Sequence, residues 1–359
     1  MKGAPKILVV CSALVFGCSD TTNAVAASDE PVDSTDAGTD AGTDGGTDAE
    51  TDAGTDGGSS DAVEPEPERG LLTDQTIDVA GVTRSYLLFV PDDYENAPIV
   101  FLLHGYSTTN EEFLGLAGGP APYRVWLDIA RRENVLVVAP NGLVDEAADT
   151  KGWNDCRGDS AGSSSADDVG FMSALVDSLV ETYAADSRRV YAQGTSNGGH
   201  MSIRLALEMP EKLAAFAVVV AANAANSECS SSEVPVPAMF MNGTADPLLP
   251  YDGGEMIGGR GEVLSNAATM SDWVRRNGAN PTPESTALPD INTSDESQVE
   301  KDVYEAGASG AEVVAYHVLG GGHTEPSIDE RVDGRFLGPQ NADMEMANEV
   351  WAFFSTKTK

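Results

Sequence analysis

Gly194-Thr195-Ser196-Asn197-Gly198 constrains this chain more than any other five residues. A short strand-like run, Arg189 to Gln193, precedes it, and a helical pattern from about Gly198 to Glu208 follows. A serine between glycines at a strand-to-helix junction describes a tight turn. The glycines relieve backbone crowding there, and the serine side chain is lifted above the edge of the sheet. A turn of this kind needs a sheet whose strands feed helices, and that requirement organises the rest of the reading.

The neighbouring segments meet it. Ile99 to Leu103 and Val135 to Val138 are continuous apolar runs, as expected of strands covered on both faces. Val169, Met172, Leu175, Val176, Leu179, Val180 and Tyr183 mark one face of a long helix. Ala214 to Ala221, Val236 to Met241 and Glu312 to Leu319 read as further strands, and Leu264 to Arg276 and Ala342 to Phe354 as helices. Arg84 to Val90 alternates and runs into Pro91, which reads as an edge strand, and the polar stretch Asn280 to Glu300 reads as a surface insertion. The expected fold is α/β: a mainly parallel central sheet flanked by helices on both faces, over residues 70–359. With the serine turn, this is the α/β-hydrolase arrangement.

A serine hydroxyl needs a base to become a nucleophile. Of four histidines, His200 lies too close to Ser196 on the following helix, His317 falls inside a strand, and His104 precedes Gly105 where an oxyanion site would be shaped. His323 follows the last strong strand in Gly320-Gly321-Gly322-His323, where glycines allow a sharp turn, and is the expected base. In this fold the acid falls between serine and histidine along the chain. Asp246, in Asn242-Gly243-Thr244-Ala245-Asp246-Pro247, is the expected acid, with Asp252 as its rival. The oxyanion donors are expected to be the backbone N–H groups of Asn197 and Tyr106. Trp153 is a candidate for the substrate pocket, against a plain packing role, and Asp168 is expected to cap the helix that follows it. No phosphate-loop, dinucleotide or metal-ligand pattern occurs, so neither cofactor nor metal is expected.

His104-Gly105, Gly152-Trp153-Asn154-Asp155, Asp167 to Phe171, Gly194 to Gly199, Gly243 to Pro247 with Pro250-Tyr251, and Gly320 to His323 fall in order. Together they resemble the secreted polyhydroxybutyrate-depolymerase and feruloyl-esterase family, from about Asp78 to Phe354. The resemblance implies Ser196, Asp246 and His323 as a triad acting on an extracellular ester, often polymeric. A feruloyl or acetyl-xylan esterase acting on plant polysaccharide is the alternative within that class. A catalytically inactive surface-binding lipoprotein is the alternative outside it, and the intact triad and turn glycines speak against it. Two departures stand out. Ala279, Ala306 and Ala308 occupy regions where relatives carry cysteines, and Glu325-Pro326-Ser327 replaces the Trp-Pro-Gly that usually follows the histidine.

The N-terminus reads as an address. Lys2 and Lys6 precede the apolar run Ile7 to Phe16, which is too short to span a bilayer. Val15-Phe16-Gly17-Cys18 resembles a bacterial lipobox, making residues 1–18 a lipoprotein-type signal peptide with Cys18 lipidated, while Ala24-Val25-Ala26 offers an ordinary cleavage site. Residues 19–69 form a disordered acidic low-complexity tether: Thr35 to Gly58 repeats a Thr-Asp tetrapeptide six times, and no core can be built from it. Calcium binding by this repeat is the sharper alternative. The net charge of -37 excludes nucleic acid and anionic membrane surfaces as partners. Any membrane contact is expected through the lipid anchor alone, on a protein exported to the bacterial envelope. Cys156 and Cys229, the two cysteines of the folded part, are either bridged or free.

Overall fold

The computed structural model describes residues 67–359, apart from 146–149, 162–163 and 309. The expected signal peptide, Cys18 and the tether up to residue 66 lie outside the described residues. Among the described residues fourteen strands occur in chain order: β1 (Gly70–Val79), β2 (Val82–Val90), β3 (Ile99–Leu103), β4 (Leu136–Pro140), β5 (Leu143–Asp145), β6 (Thr150–Gly152), β7 (Val190–Thr195), β8 (Ala215–Val219), β9 (Ala238–Gly243), β10 (Gly254–Glu255), β11 (Glu262–Val263), β12 (Glu284–Ala287), β13 (Gln298–Tyr304) and β14 (Val313–Leu319). The helices are α1 (Asn110–Phe113), α2 (Val125–Glu133), α3 (Asp168–Tyr183), α4 (Asn197–Glu208), α5 (Asn266–Asn277) and α6 (Met346–Phe354), with a 3₁₀ turn at Pro122–Arg124.

Ten strands make one sheet in the order β1-β2-β4-β3-β7-β8-β9-β14-β13-β12. The six central strands, β4 to β14, are parallel, and an antiparallel pair closes each side. Side-chain alternation divides each central strand between two cores. Ile99, Phe101 and Leu103 of β3 pack with α3, α4 and α5, whereas Val100 and Leu102 pack with α2 and α6. Both faces are therefore covered, and this explains why β3 and β4 read as unbroken apolar runs.

The edges depart from expectation. β2 is an inner strand, because β1 covers its outer side. Only the first half of β2 alternates in burial, and everything from Tyr86 to Val90 is buried. Pro91 lies beyond the ladder and so places no demand on the strand's position. The stretch Asn280 to Glu300 supplies edge strand β12 and the start of β13, and is thus part of the sheet. β12 is exposed at every residue, so it carries no apolar signature of a strand.

Two polar features inside the fold also differ from their sequence reading. Asp167, not Asp168, caps α3, accepting the Gly170 N–H at 2.8 Å. Asp168 is buried, 2.6 Å from Arg84 Nη2 of β2, and also accepts the Asn154 N–H at 2.7 Å. The Arg84 guanidinium lies over the Phe171 ring, 4.1 Å from its centroid. This ion pair fastens α3 to the antiparallel flank of the sheet. His104 and His200 are buried as well. Burial lowers His104 to about 4, and burial together with the Arg157 charge lowers His200 to about 3, so both imidazoles are neutral at neutral pH. Cys156 and Cys229 are joined by a disulfide.

Removing Asp168 leaves a buried guanidinium without its counter-charge. Asp168→Ala is expected to cost about 3–5 kcal/mol in urea unfolding. Asp167→Ala is expected to cost about 1 kcal/mol, and equal effects would contradict the assignment. The two histidines set an acid dependence. Unfolded imidazoles take up protons below their ordinary value of about 6.5 while the folded ones do not. Their stabilisation is complete above that pH and is lost as pH falls toward 4 and then 3. Melting curves between pH 7 and 5 are expected to show stability falling toward about 1.4 kcal/mol per pH unit for each histidine, and a flat profile would contradict their neutral burial.

Candidate active site

The sheet register brings four loops together. Leu103 of β3 pairs with Gly194 of β7, and Gly243 of β9 pairs with Val318 of β14. These parallel strands release their chains on one edge of the sheet, where open α/β sheets bind ligands. His104 to Tyr106, Ser196, Asp246 and His323 all follow those ends.

Ser196 joins β7 to α4 with φ 52° and ψ -117°. A non-glycine residue in such a conformation costs of order 1–3 kcal/mol and persists only where its surroundings enforce it. They do so here through its own backbone: its N–H donates to Val219 O at 2.9 Å, and its carbonyl accepts the His200 N–H at 2.9 Å. A Cβ on Gly194 would run into the Gly198 carbonyl, and one on Gly198 into the Leu103 carbonyl, so both flanking glycines are required. Asn197 opens α4, where first-turn N–H groups have no intrahelical acceptor.

A buried polar chain supports this turn from behind. Asn197 Oδ1 accepts the Trp153 N–H at 2.8 Å, and Asn197 Nδ2 donates to Asp155 Oδ2 at 2.6 Å. Asp155 pairs with Arg157 Nη2 at 2.6 Å, and Arg157 Nη1 donates to Arg260 O at 2.8 Å. Burial alone would raise the Asp155 carboxyl, but the Arg157 charge and its hydrogen bonds outweigh that and hold it below the usual range. The Cys156–Cys229 bridge sits within the same segment.

His323 Nδ1 lies 2.6 Å from Asp246 Oδ2. Asp246 Oδ1 accepts the Leu248 and Leu249 N–H groups at 2.7 and 2.8 Å, which fixes the carboxylate plane. The two loops are zipped together, with the Ala245 N–H on Gly321 O at 2.9 Å and the Gly320 N–H on Thr244 Oγ1 at 2.9 Å. Asp252, the rival acid, is exposed. A carboxylate only accepts, so Nδ1 carries the proton and Nε2 is left as the basic nitrogen.

His104 acts on the backbone. Its Nε2 accepts the Gly142 N–H at 3.0 Å, so the proton is on Nδ1, which donates to Gly105 O at 2.7 Å. That carbonyl and the Tyr106 N–H belong to one trans peptide and point oppositely, so His104 sets the direction of the Tyr106 N–H. Trp153 is completely buried and does not wall the cavity. Its indole N–H donates to His104 O at 2.8 Å, a partner that a buried indole needs, which makes it a strut for this loop. His317 stays in β14, bonded to Tyr251 Oη at 2.6 Å.

Ser196 and His323 line one cavity of about 440 Å³. Phe113, Tyr123, Leu248 and Met256 give it an apolar lining, and Arg260 stacks over the Tyr106 ring at 3.6 Å. Glu325, from the departure after His323, also lines it. The Asn197–Asp155–Arg157 support and the wall from Tyr123 were not anticipated. Asn154-Asp155-Cys156-Arg157 was the available signal, since a carboxylate and a guanidinium beside a structural cysteine are a stationary ion pair. Among the described residues no His, Cys, Asp and Glu group is arranged to hold a metal ion.

The family model described as "Esterase PHB depolymerase" matches residues 84–253. A protein named as an esterase, NocK of Nocardia uniformis subsp. tsuyamanensis, is 31% identical over 276 residues, spanning 71% of this chain and 74% of its own. Feruloyl esterase D of Neurospora crassa is 25% identical over 287 residues, spanning 78% of this chain and 84% of its own. Among solved structures, the acetyl xylan esterase from Aspergillus awamori shares the fold with a TM-score of 0.52 and 16% identity, over 80% of this chain and 99% of that one. The chain therefore belongs to the polyhydroxybutyrate-depolymerase esterase family and is a carboxylic-ester hydrolase of the α/β-hydrolase fold.

Proposed function

We propose that Ser196 is the nucleophile, His323 the general base and Asp246 the residue that orients it. The observation that carries this reading is the 2.6 Å contact from His323 Nδ1 to Asp246 Oδ2 beside a cavity that Ser196 and His323 both line. Ser196 Oγ attacks the ester carbonyl while His323 Nε2 takes its proton. The oxyanion is stabilised by the N–H groups of Asn197 and Tyr106, the latter aimed by His104. His323 then protonates the leaving alcohol, and water activated by the same nitrogen releases the acyl group. Asp246 keeps the imidazole in the tautomer that both steps need.

The substrate is a carboxylic ester of a hydroxyalkanoate polymer or its oligomers, the activity for which the family model is named. The aromatic side chains of Tyr106, Phe113 and Tyr123 in the cavity favour a second reading, an aromatic acyl ester of plant polysaccharide, in keeping with the relative named as a feruloyl esterase. The proposal extends to location. Residues 1–18 act as an export signal, Cys18 carries the lipid, and residues 19–69 tether the catalytic domain of residues 70–359 outside the cell. Its support is the apolar run Ile7 to Phe16 just before Cys18 and the coreless repeat that follows.

Hydrolysis of p-nitrophenyl butyrate by the purified full chain is expected to fall by roughly 10⁶-fold in kcat for Ser196→Ala and roughly 10⁴-fold for Asp246→Asn, with unchanged melting curves. Full activity in Ser196→Ala would remove the reading. Cells grown with radioactive palmitate are expected to label the wild type but not Cys18→Ser. An unlabelled wild type beginning after Ala26 would replace the anchor with a released form.

A further inference from the structure

The apolar lining of the Ser196 cavity is interrupted by a few charged side chains, and most of them are committed elsewhere. Glu112 caps α1, its carboxylate accepting the Thr109 N–H at 2.9 Å. Arg260 lays its guanidinium over the Tyr106 ring, in the wall built by the loop beyond Asp246. His323 is held by Asp246. Glu325 is different. It is half-buried and lines the cavity, yet among the described residues its carboxylate meets no hydrogen-bond donor and no Lys or Arg.

The backbone that carries Glu325 is fixed. Its carbonyl accepts Gln340 Nε2 at 2.7 Å, Thr324 Oγ1 before it donates to Pro339 O at 3.0 Å, and the Pro326 carbonyl after it accepts the Met346 N–H at 3.1 Å. The side chain therefore leaves the wall from a set point. Its charge reaches Tyr123, where it adds to burial in raising the phenol well above its ordinary value. The Tyr123 hydroxyl is sealed away and faces Thr195 and Gln193, so it gives the carboxylate no hydrogen bond. Phe113, Val332 and Leu337 supply apolar surface in the same cavity. A charge in such surroundings is poorly screened and acts on a second charge several times more strongly than in water.

We propose that Glu325 is a charge filter for the Ser196 cavity, admitting neutral and hydroxyl-bearing esters and turning away esters that carry a carboxylate. The inference rests on the reading of Ser196 as the nucleophile. A carboxylate only accepts, so a substrate hydroxyl supplies the hydrogen bond that Glu325 lacks. A substrate carboxylate supplies none and brings a like charge into the same desolvated space, where two ionised carboxylates disfavour each other. On a polyester, the filter favours bonds inside the chain over the bond next to an acid end.

The test compares kcat/KM for two matched pairs, using the full chain at about pH 8, where a substrate carboxylate is ionised. Mono-p-nitrophenyl glutarate and its methyl ester place the difference on the acyl half, read as nitrophenol release. The linear dimer of 3-hydroxybutyrate and its methyl ester place it on the alcohol half, read as cleavage of the internal ester. The wild type is expected to prefer the neutral member of at least one pair, and Glu325→Gln is expected to reduce that preference by roughly tenfold. Glu325→Ser is expected to act in the same direction, and decides the matter should the Gln variant fail to fold. Glu284→Gln removes one charge from the exposed edge strand β12 and is expected to keep the wild-type ratios. A wild type without preference overturns the filter. So do Glu325 variants whose ratios stay within about twofold of wild type, or a Glu284 variant that shifts them equally, which would assign the effect to net charge. A folded wild type that cleaves none of the four esters removes the Ser196 reading itself, an outcome distinct from the loss of selectivity alone.

Discussion

Ser196 holds a backbone conformation that an isolated chain would abandon, and much of the surrounding structure can be traced to keeping it there. The strained turn is gripped by Val219 of the neighbouring strand on one side and by the first turn of α4 on the other. Because Gly194 and Gly198 approach carbonyls of the adjoining backbone, the turn closes against β3 with no room for side chains. A loose fit would let φ relax and turn the hydroxyl out of the cavity that Ser196 and His323 both line. The required rigidity is supplied by polar groups, because the turn lies at the sheet edge where apolar packing ends.

That polar support is continuous. From Asn197 it passes through Asp155 to Arg157, and from Arg157 to the carbonyl of Arg260, whose side chain stacks over Tyr106 in the cavity wall. A buried ion pair of this kind adds little net stability compared with apolar packing, but breaking it strands a charge. Its role is directional: each donor in the Arg157 fork has an acceptor, so the segment from Trp153 to Arg157 has one arrangement. The disulfide at Cys156 restrains the same segment covalently. The turn carrying Ser196 and the wall that would meet an acyl group are therefore referred to one frame.

The parts of this plan visible in the sequence were those governed by short-range patterns. Apolar runs revealed β3 and β4 because both of their faces are covered, and the glycine spacing revealed the turn at Ser196. The edges were not visible, since β1 and β12 are dressed with polar residues as exposed edges must be. Asp168 was misread because adjacent aspartates before a helix look alike in sequence. Only the fold shows that Arg84, remote along the chain, claims one and leaves Asp167 to cap. Trp153 was similarly ambiguous. Its burial under His104 depends on how β6 delivers it against the loop after β3, and no local pattern encodes that.

The segments that carry His323 and Asp246 also build the cavity wall. The chain that presents His323 continues into Glu325, Val332 and Leu337 of the cavity wall, and the loop that presents Asp246 continues into Leu248, Met256 and Arg260. Glu330, further along the histidine segment, fastens the turn that holds Tyr123. A change of sequence after His323, such as the Glu325-Pro326-Ser327 of this chain, therefore bears on the wall and on the histidine together, because the Gly322 and His323 N–H groups donate to Pro339 O and Leu337 O of that same segment while Asp246 holds the ring. The motifs along the sheet edge are short and local, so the sequence displays them, while the wall between them is assembled only by the fold.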